Sequence, residues 1–297
     1  VSRSVETPDR ILQRLDLKVV RKLDGLLQGD YRTLFYGQGA DFTDLREYQP
    51  EDDVRHIDWN VTARLDTPYV RQYVEDREIT AWFLLDMSPS VDFGPDGKGK
   101  RDALIAFVAT LARVLTRRGN RVGAMLYAAK LERTIPARSG RQHVLRLIND
   151  LLSHPRLEKA PETSLKQLLD GALQGIKRRS LVVLVSDFIS APGWERPLGM
   201  LARRHDVLTV RINDPRESAL PDVGLIVMED AETGEQLYVD THDPAFRARF
   251  QEVANEREQA LSGAFKSAGV DAMDLSTEED LVRAIMRFAE KRKARRK

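Results

Sequence analysis

The run ITAWFLLDMSPSVDFG, residues 79–94, decides the reading of this chain. Ala81, Trp82, Phe83, Leu84 and Leu85 form an unbroken apolar stretch, as a strand buried on both faces does. It ends on Asp86, and hydroxyls follow at Ser88 and Ser90. An ionised carboxylate at the tip of a buried strand is costly unless something pairs with it. The rest of the chain has to supply that partner.

Downstream of residue 78, short apolar runs alternate with longer amphipathic ones, the pattern of βα units around a mostly parallel sheet. Strands are predicted at 79–86, 121–127, 180–187, 206–213 and 271–276. Helices are predicted at 100–118, 141–153, 164–178, 194–204, 244–267 and 278–293, the last with Thr277 as a cap. GLIVMEDAETGEQLYVD reads as an inserted antiparallel hairpin with its turn near Glu232 to Gly234. The expected fold class is α/β: a Rossmann-like, mostly parallel sheet flanked by helices.

Upstream, Thr7 and Pro8 open an amphipathic helix along Ile11, Leu12, Leu15, Val19, Leu23, Leu26 and Leu27, which Gly29 closes. Residues 30–78 lose this periodicity, with short strands expected around Gly37 and Gly39. The domain expectation is therefore 1–78, a helix and compact module packed on the main domain, and 79–293, the main domain. Asp44, Asp52, Asp53, Arg55, His56, Asp58 and Arg64 crowd one segment of the module, and their alternating signs suggest a salt-bridged structural network with Trp59 buried beside it.

The 297 residues can bury a large core, roughly three quarters of the unfolded surface at this size. Lys and Arg total 47 against 46 Asp and Glu, so there is no global field for nucleic acid or anionic membrane. The absence of cysteine removes disulfides, thiolate metal sites and a Cys nucleophile, and fits a reducing compartment. No run approaches the roughly 18 apolar residues of a membrane span, and no signal-peptide core opens the chain, so a cytoplasmic location is expected. The terminal KRKARRK reads as a solvated basic helix end. His143, His154, His205 and His242 lack ligand spacing and read as helix-surface or turn residues.

In an open parallel sheet, ligands collect beyond the carboxyl ends of the strands, most often where strand order reverses. Asp86 stands at such an end, and so does Asp187, which closes LVVLVSD. Two carboxylates at one edge repel unless a cation lies between them. The i, i+2, i+4 spacing of Asp86, Ser88 and Ser90 suits a loop that folds back on one point. Thr163 offers a further oxygen, although it or the adjoining Ser164 equally serves as a helix cap. Asp86, Ser88, Ser90, Thr163 and Asp187 are all hard oxygen donors, which suits Mg²⁺, or Ca²⁺ or Mn²⁺.

D-x-S-x-S after an apolar strand, a Thr before a helix and an Asp ending a later strand resemble the metal-ion-dependent adhesion site of von Willebrand factor type A domains. DFTDLREYQPEDDVRHIDWNVTARLDTPYVRQY, VSDF, DPRESALPDVG and DAETGE resemble the domain of unknown function 58 family, over roughly residues 8–290. That resemblance implies direct metal bonds from Ser88 and Ser90, a direct or water-mediated bond from Thr163, and largely water-mediated contacts from Asp86 and Asp187. One position would stay open for a partner's carboxylate. It also implies a partner, a MoxR-type AAA+ ATPase, and a role as a metal-dependent protein-interaction adaptor in assembling or activating other proteins. Glu51 replaces the family's common Gly and Val91 its common Met; neither is a ligand position.

Two other classes compete. A haloacid-dehalogenase-like, Mg²⁺-dependent phosphohydrolase also sets an Asp after its first strand, but needs a second carboxylate two residues on, where Ser88 stands. Nucleic-acid binding would rest on the basic tail. No P-loop, dinucleotide or serine-hydrolase motif occurs, and the chain is not expected to be an enzyme.

Overall fold

The computed structural model describes residues 7–20, 23, 45–50, 52, 54, 57–71, 78–95, 98–157, 160–230 and 233–295. The chain divides into two compact units: one joins Val1–Phe35 with Ile79–Lys297, and the other is Tyr36–Glu78.

In the larger unit, helix α1 (Pro8–Leu15) starts with proline in its first turn and buries Ile11, Leu12 and Leu15. Strands β3 (Thr80–Asp86), β4 (Arg121–Tyr127), β5 (Leu131–Arg138), β6 (Leu181–Ser186), β7 (Asp206–Asn213) and β10 (Asp271–Ser276) form one sheet in the order β10-β7-β6-β3-β4-β5. Every pairing is parallel except β4 with β5. This is the expected Rossmann-like α/β sheet.

β5 was not anticipated. LERTIPAR holds Pro136, and the strand is mostly exposed, so it lacks the continuous apolar run of its neighbours. Proline lacks the N–H that an interior strand would need, and the sheet's edge tolerates it.

The central strands are sealed on both faces. All of β6 is buried, as is β3 from Phe83 onward. One covering layer contains α3 (Lys100–Arg117) and α4 (Arg141–Leu152), which pack on each other and on α1. Another contains α5 (Leu165–Gly175), α6 (Glu195–Arg204) and α7 (Pro244–Ala268). Between sheet and helices, Leu84, Leu168, Leu184, Leu198 and Phe265 belong to one apolar cluster. Cutting such a side chain back to alanine costs about 2–5 kcal/mol.

The last helix, α8 (Leu281–Arg295), packs against β10. Its first turn is held by Asp280, which accepts from the Arg283 N–H at 3.0 Å. Thr277, expected as the cap, instead donates its hydroxyl to Asp214 Oδ2 at 2.8 Å. The hairpin forms from β8 (Leu225–Glu229) and β9 (Gln236–Asp240) as a separate antiparallel pair.

In the smaller unit, β1 (Leu45–Glu47) pairs antiparallel with β2 (Tyr69–Arg71). Helix α2 (Trp59–Leu65) is opened by Asp58, whose carboxylate accepts from the Asn60 and Val61 N–H groups. That cap puts Trp59 on the first turn, 68% exposed, and not buried as expected. Asp44, Asp53, Arg55 and His56, like Glu51 and the segment around Gly37 and Gly39, lie outside the described residues.

Candidate metal centre

β3 leads through α3 to β4 on one side, while β6 lies on its other side, so the strand order reverses between β3 and β6. Asp86 ends β3 and Asp187 follows β6 at that switch. The register pairs Leu85 with Val185, which brings Ser186 beside Asp86. The Ser186 hydroxyl donates to Asp86 Oδ2 at 2.6 Å, and the Ser88 N–H donates to Oδ1 at 3.0 Å. Asp86 is wholly buried. Burial first, then the negative charge of Asp187, push its carboxyl up to about 6, against the hydrogen bonds from Ser186 and Ser88.

After Asp86 the chain turns through a short 3₁₀ segment, Pro89–Asp92, with proline in its first turn. This folds Ser90 back so that its hydroxyl lies 3.1 Å from that of Ser88, both buried. Arg101 fastens the segment from outside: its guanidinium bonds Asp92 at 3.0 and 3.2 Å.

Thr163 is fully buried in the loop before α5. Its carbonyl accepts from the Ser190 hydroxyl at 3.0 Å and the Ala191 N–H at 2.8 Å, tying that loop to the one after Asp187. Ser190 Oγ in turn accepts from the first α5 amide, Leu165, at 3.0 Å. Ser164 makes no side-chain cap. Phe188 adopts φ +59, a left-handed conformation that an aromatic residue rarely takes. Its N–H reaches the Ser186 hydroxyl at 2.8 Å, and its ring packs edge-on against Phe265 at 4.8 Å. Those contacts hold the strained turn that carries Asp187, at a cost of order 1–3 kcal/mol.

Among the described residues, no cluster of three or more His, Cys, Asp or Glu side chains could hold a metal. An ion at this edge would rest on hydroxyls, with Asp86 and Asp187 supplying charge around them. That donor set fits a hard dication: paired hydroxyl oxygens at 3.1 Å, two buried carboxylates and no soft ligand.

One residue at the edge was not foreseen. Lys100 is 0% exposed, and its ammonium lies 2.7 Å from Asp187 Oδ2 and 2.6 Å from Glu217 Oε1. Burial works against its charge, but Asp187 and Glu217 outweigh it and hold the ammonium above its ordinary range. Just before it the backbone passes close to itself: at Gly94, φ +113, an added Cβ would sit 2.7 Å from the Gly99 Cα. The signal available in the sequence was a lysine opening a helix, where the dipole disfavours a cation.

His143 and His205 are buried, contrary to expectation; His143 bonds the Val122 carbonyl at 2.7 Å. Burial pushes the His205 imidazole down, with Arg204 and Arg179 adding to the effect.

The mostly parallel α/β sheet, with D-x-S-x-S at its switch edge, has the von Willebrand factor type A-like arrangement expected from the sequence. The sequence pattern of "Protein of unknown function DUF58" matches residues 44–260, and the chain belongs to that family. The "Uncharacterized protein Rv1480" of Mycobacterium tuberculosis is 37% identical over 282 residues, covering 95% of this chain and 89% of the relative. Among solved structures, an aerotolerance-related membrane protein from Bacteroides fragilis is similar with TM-score 0.47 and 13% identity, over 73% of this chain and 99% of that one. Proximal thread matrix protein 1 from the mussel byssus, with a zinc-occupied MIDAS motif, is similar with TM-score 0.37 and 15% identity, over 46% of this chain and 38% of that one. No helix of the described residues is long and apolar enough to cross a membrane.

Proposed function

We propose that the chain is a protein-interaction adaptor and not a catalyst, and that its docking point is a divalent ion at the carboxyl edge of the sheet. Ser88 and Ser90 hold the ion directly, Thr163 directly or through water, and Asp86 and Asp187 mainly through water. Mg²⁺ is the expected ion, with Ca²⁺ or Mn²⁺ able to replace it. Because the inner donors are neutral, the ion keeps much of its charge and attracts a carboxylate from the partner.

The observation that carries this reading is the buried hydroxyl pair of Ser88 and Ser90, 3.1 Å apart in the loop that follows the buried Asp86. The position two residues past Asp86, where a phosphohydrolase of the haloacid-dehalogenase type would need an acid, is Ser88, which supports binding over hydrolysis. Family resemblance points to a MoxR-type AAA+ ATPase as the partner, and the expected setting is the cytoplasm.

The test is capture of such an ATPase by the immobilised chain. Retention in Mg²⁺ and loss in EDTA are expected, with a matching loss when an exposed Asp or Glu of the ATPase is neutralised. Equal retention with and without divalent ions would refute the metal-dependent mechanism.

A further inference from the structure

We propose that Lys100 is a built-in rival of the divalent ion: its buried ammonium occupies Asp187, so the edge holds a metal loosely and keeps its fold without one. This rests on the metal-binding reading above and concerns a residue outside the proposed ligand set.

The helix that Lys100 opens does not favour its charge. Lys100 opens α3, where the helix dipole presents positive charge, and its side chain has no contact with water. A buried ammonium is costly unless paired. The pairing is supplied from far along the chain, by Asp187 at 2.7 Å and Glu217 at 2.6 Å, with the Phe93 ring 5.6 Å from the nitrogen. The ammonium thus spans α3, the loop after β6 and the 3₁₀ turn Pro215–Glu217 after β7.

The same contacts set what an incoming dication meets. Asp187 Oδ1 accepts the Ile189 N–H at 2.9 Å and Oδ2 accepts Lys100, so both of its oxygens are engaged. One unit of the negative charge at the site is already neutralised. Binding a dication therefore means placing it beside a fixed positive charge or moving that charge toward Glu217. Glu217 is partly exposed and tethered on its own loop, where its second oxygen accepts the Asp214 N–H at 3.2 Å. It is the natural acceptor for the displaced ammonium.

The experiment measures Mn²⁺ binding by electron paramagnetic resonance and thermal melting, each with and without Mn²⁺, on the full chain and two variants. K100M should bind Mn²⁺ at least about tenfold more tightly, the lower bound set by one nearby unit charge acting on a dication at a water-like dielectric of ~80. It should melt lower than the parent in EDTA and regain that loss in Mn²⁺, because the metal then takes over the charge of Asp187. E217Q leaves the ammonium to Asp187 alone and should weaken Mn²⁺ binding at least about threefold; it serves as the test if K100M does not fold. Mn²⁺ binding by the parent with no tightening in K100M would overturn the role of Lys100 alone. Unchanged affinity in E217Q, where K100M cannot be made, would overturn it too. No Mn²⁺ binding by either the parent or folded K100M would overturn both this proposal and the metal-binding reading.

Discussion

At the amino edge of the sheet, the buried Arg292 lies 2.9 Å from Asp206, which opens β7, and 2.8 Å from Asp271, which opens β10. At the carboxyl edge, Asp86 is buried with hydroxyl and amide partners only, while Asp187 has Lys100. Both edges carry carboxylates and a cation, but at the first the cation reaches both carboxylates, whereas at the second it reaches Asp187 and not Asp86. At the first edge the arginine binds the carboxylates of two neighbouring strands and a helix together, and the outcome is structural. At the other edge, a carboxylate pushed up to about 6 stands beside a pair of hydroxyls 3.1 Å apart, where the proposed site would accept charge from outside.

The sharpest way to break this contrast is to remove the cation of the amino edge. R292M leaves two carboxylates without their buried partner and should cost about 3–5 kcal/mol in urea denaturation, with no change in Mn²⁺ affinity. A loss under about 1 kcal/mol would show that this pairing matters little to the fold.

A smaller effect is expected from S186A, which withdraws the 2.6 Å hydroxyl bond from Asp86 and strips the Phe188 N–H of its acceptor. Stability should fall by about 1–3 kcal/mol. These bonds also make asparagine, and not alanine, the clean replacement for Asp86: it keeps an acceptor for Ser88 while removing the charge. D86N should melt no lower than the parent in EDTA, since repulsion from Asp187 is relieved.

The smallest effect is one of pH, at the far end of the carboxyl edge. Hydrogen bonding to Arg216 holds the buried Asp214 carboxyl down, to about 2, with Thr277 contributing. A depressed carboxyl contributes stability that is fully present above its unfolded value near 4 and is lost as pH falls through about 2. D214N should therefore flatten the acid limb of stability between those values. An unchanged limb would mean that the pairing adds nothing in solution.

Legibility in the sequence followed the range of the interactions. β3, β4, β6 and β7 were readable because each is a short apolar run set between amphipathic stretches, and β10 because the alternating DAMDLS separates two helical stretches. β5 was not, because an exposed edge strand with Pro136 lacks that run. Asp86 and Asp187 drew attention as carboxylates that end apolar strands. Ser186 gained its role only from the register between β3 and β6. Lys100 was hidden because its partners lie 87 and 117 residues away. The exposure of Trp59 does not follow from its hydrophobicity, because the cap at Asp58 fixes its place on the first helical turn.

The most direct test of the account is Mn²⁺ titration of the parent chain against the double variant S88A/S90A, followed by electron paramagnetic resonance in one buffer. The parent should bind Mn²⁺ saturably, and the double variant, folded by circular dichroism, should bind it at least about tenfold more weakly, as loss of metal-site partners does. Equal affinity in the two would contradict a metal centre built on the Ser88 and Ser90 hydroxyls.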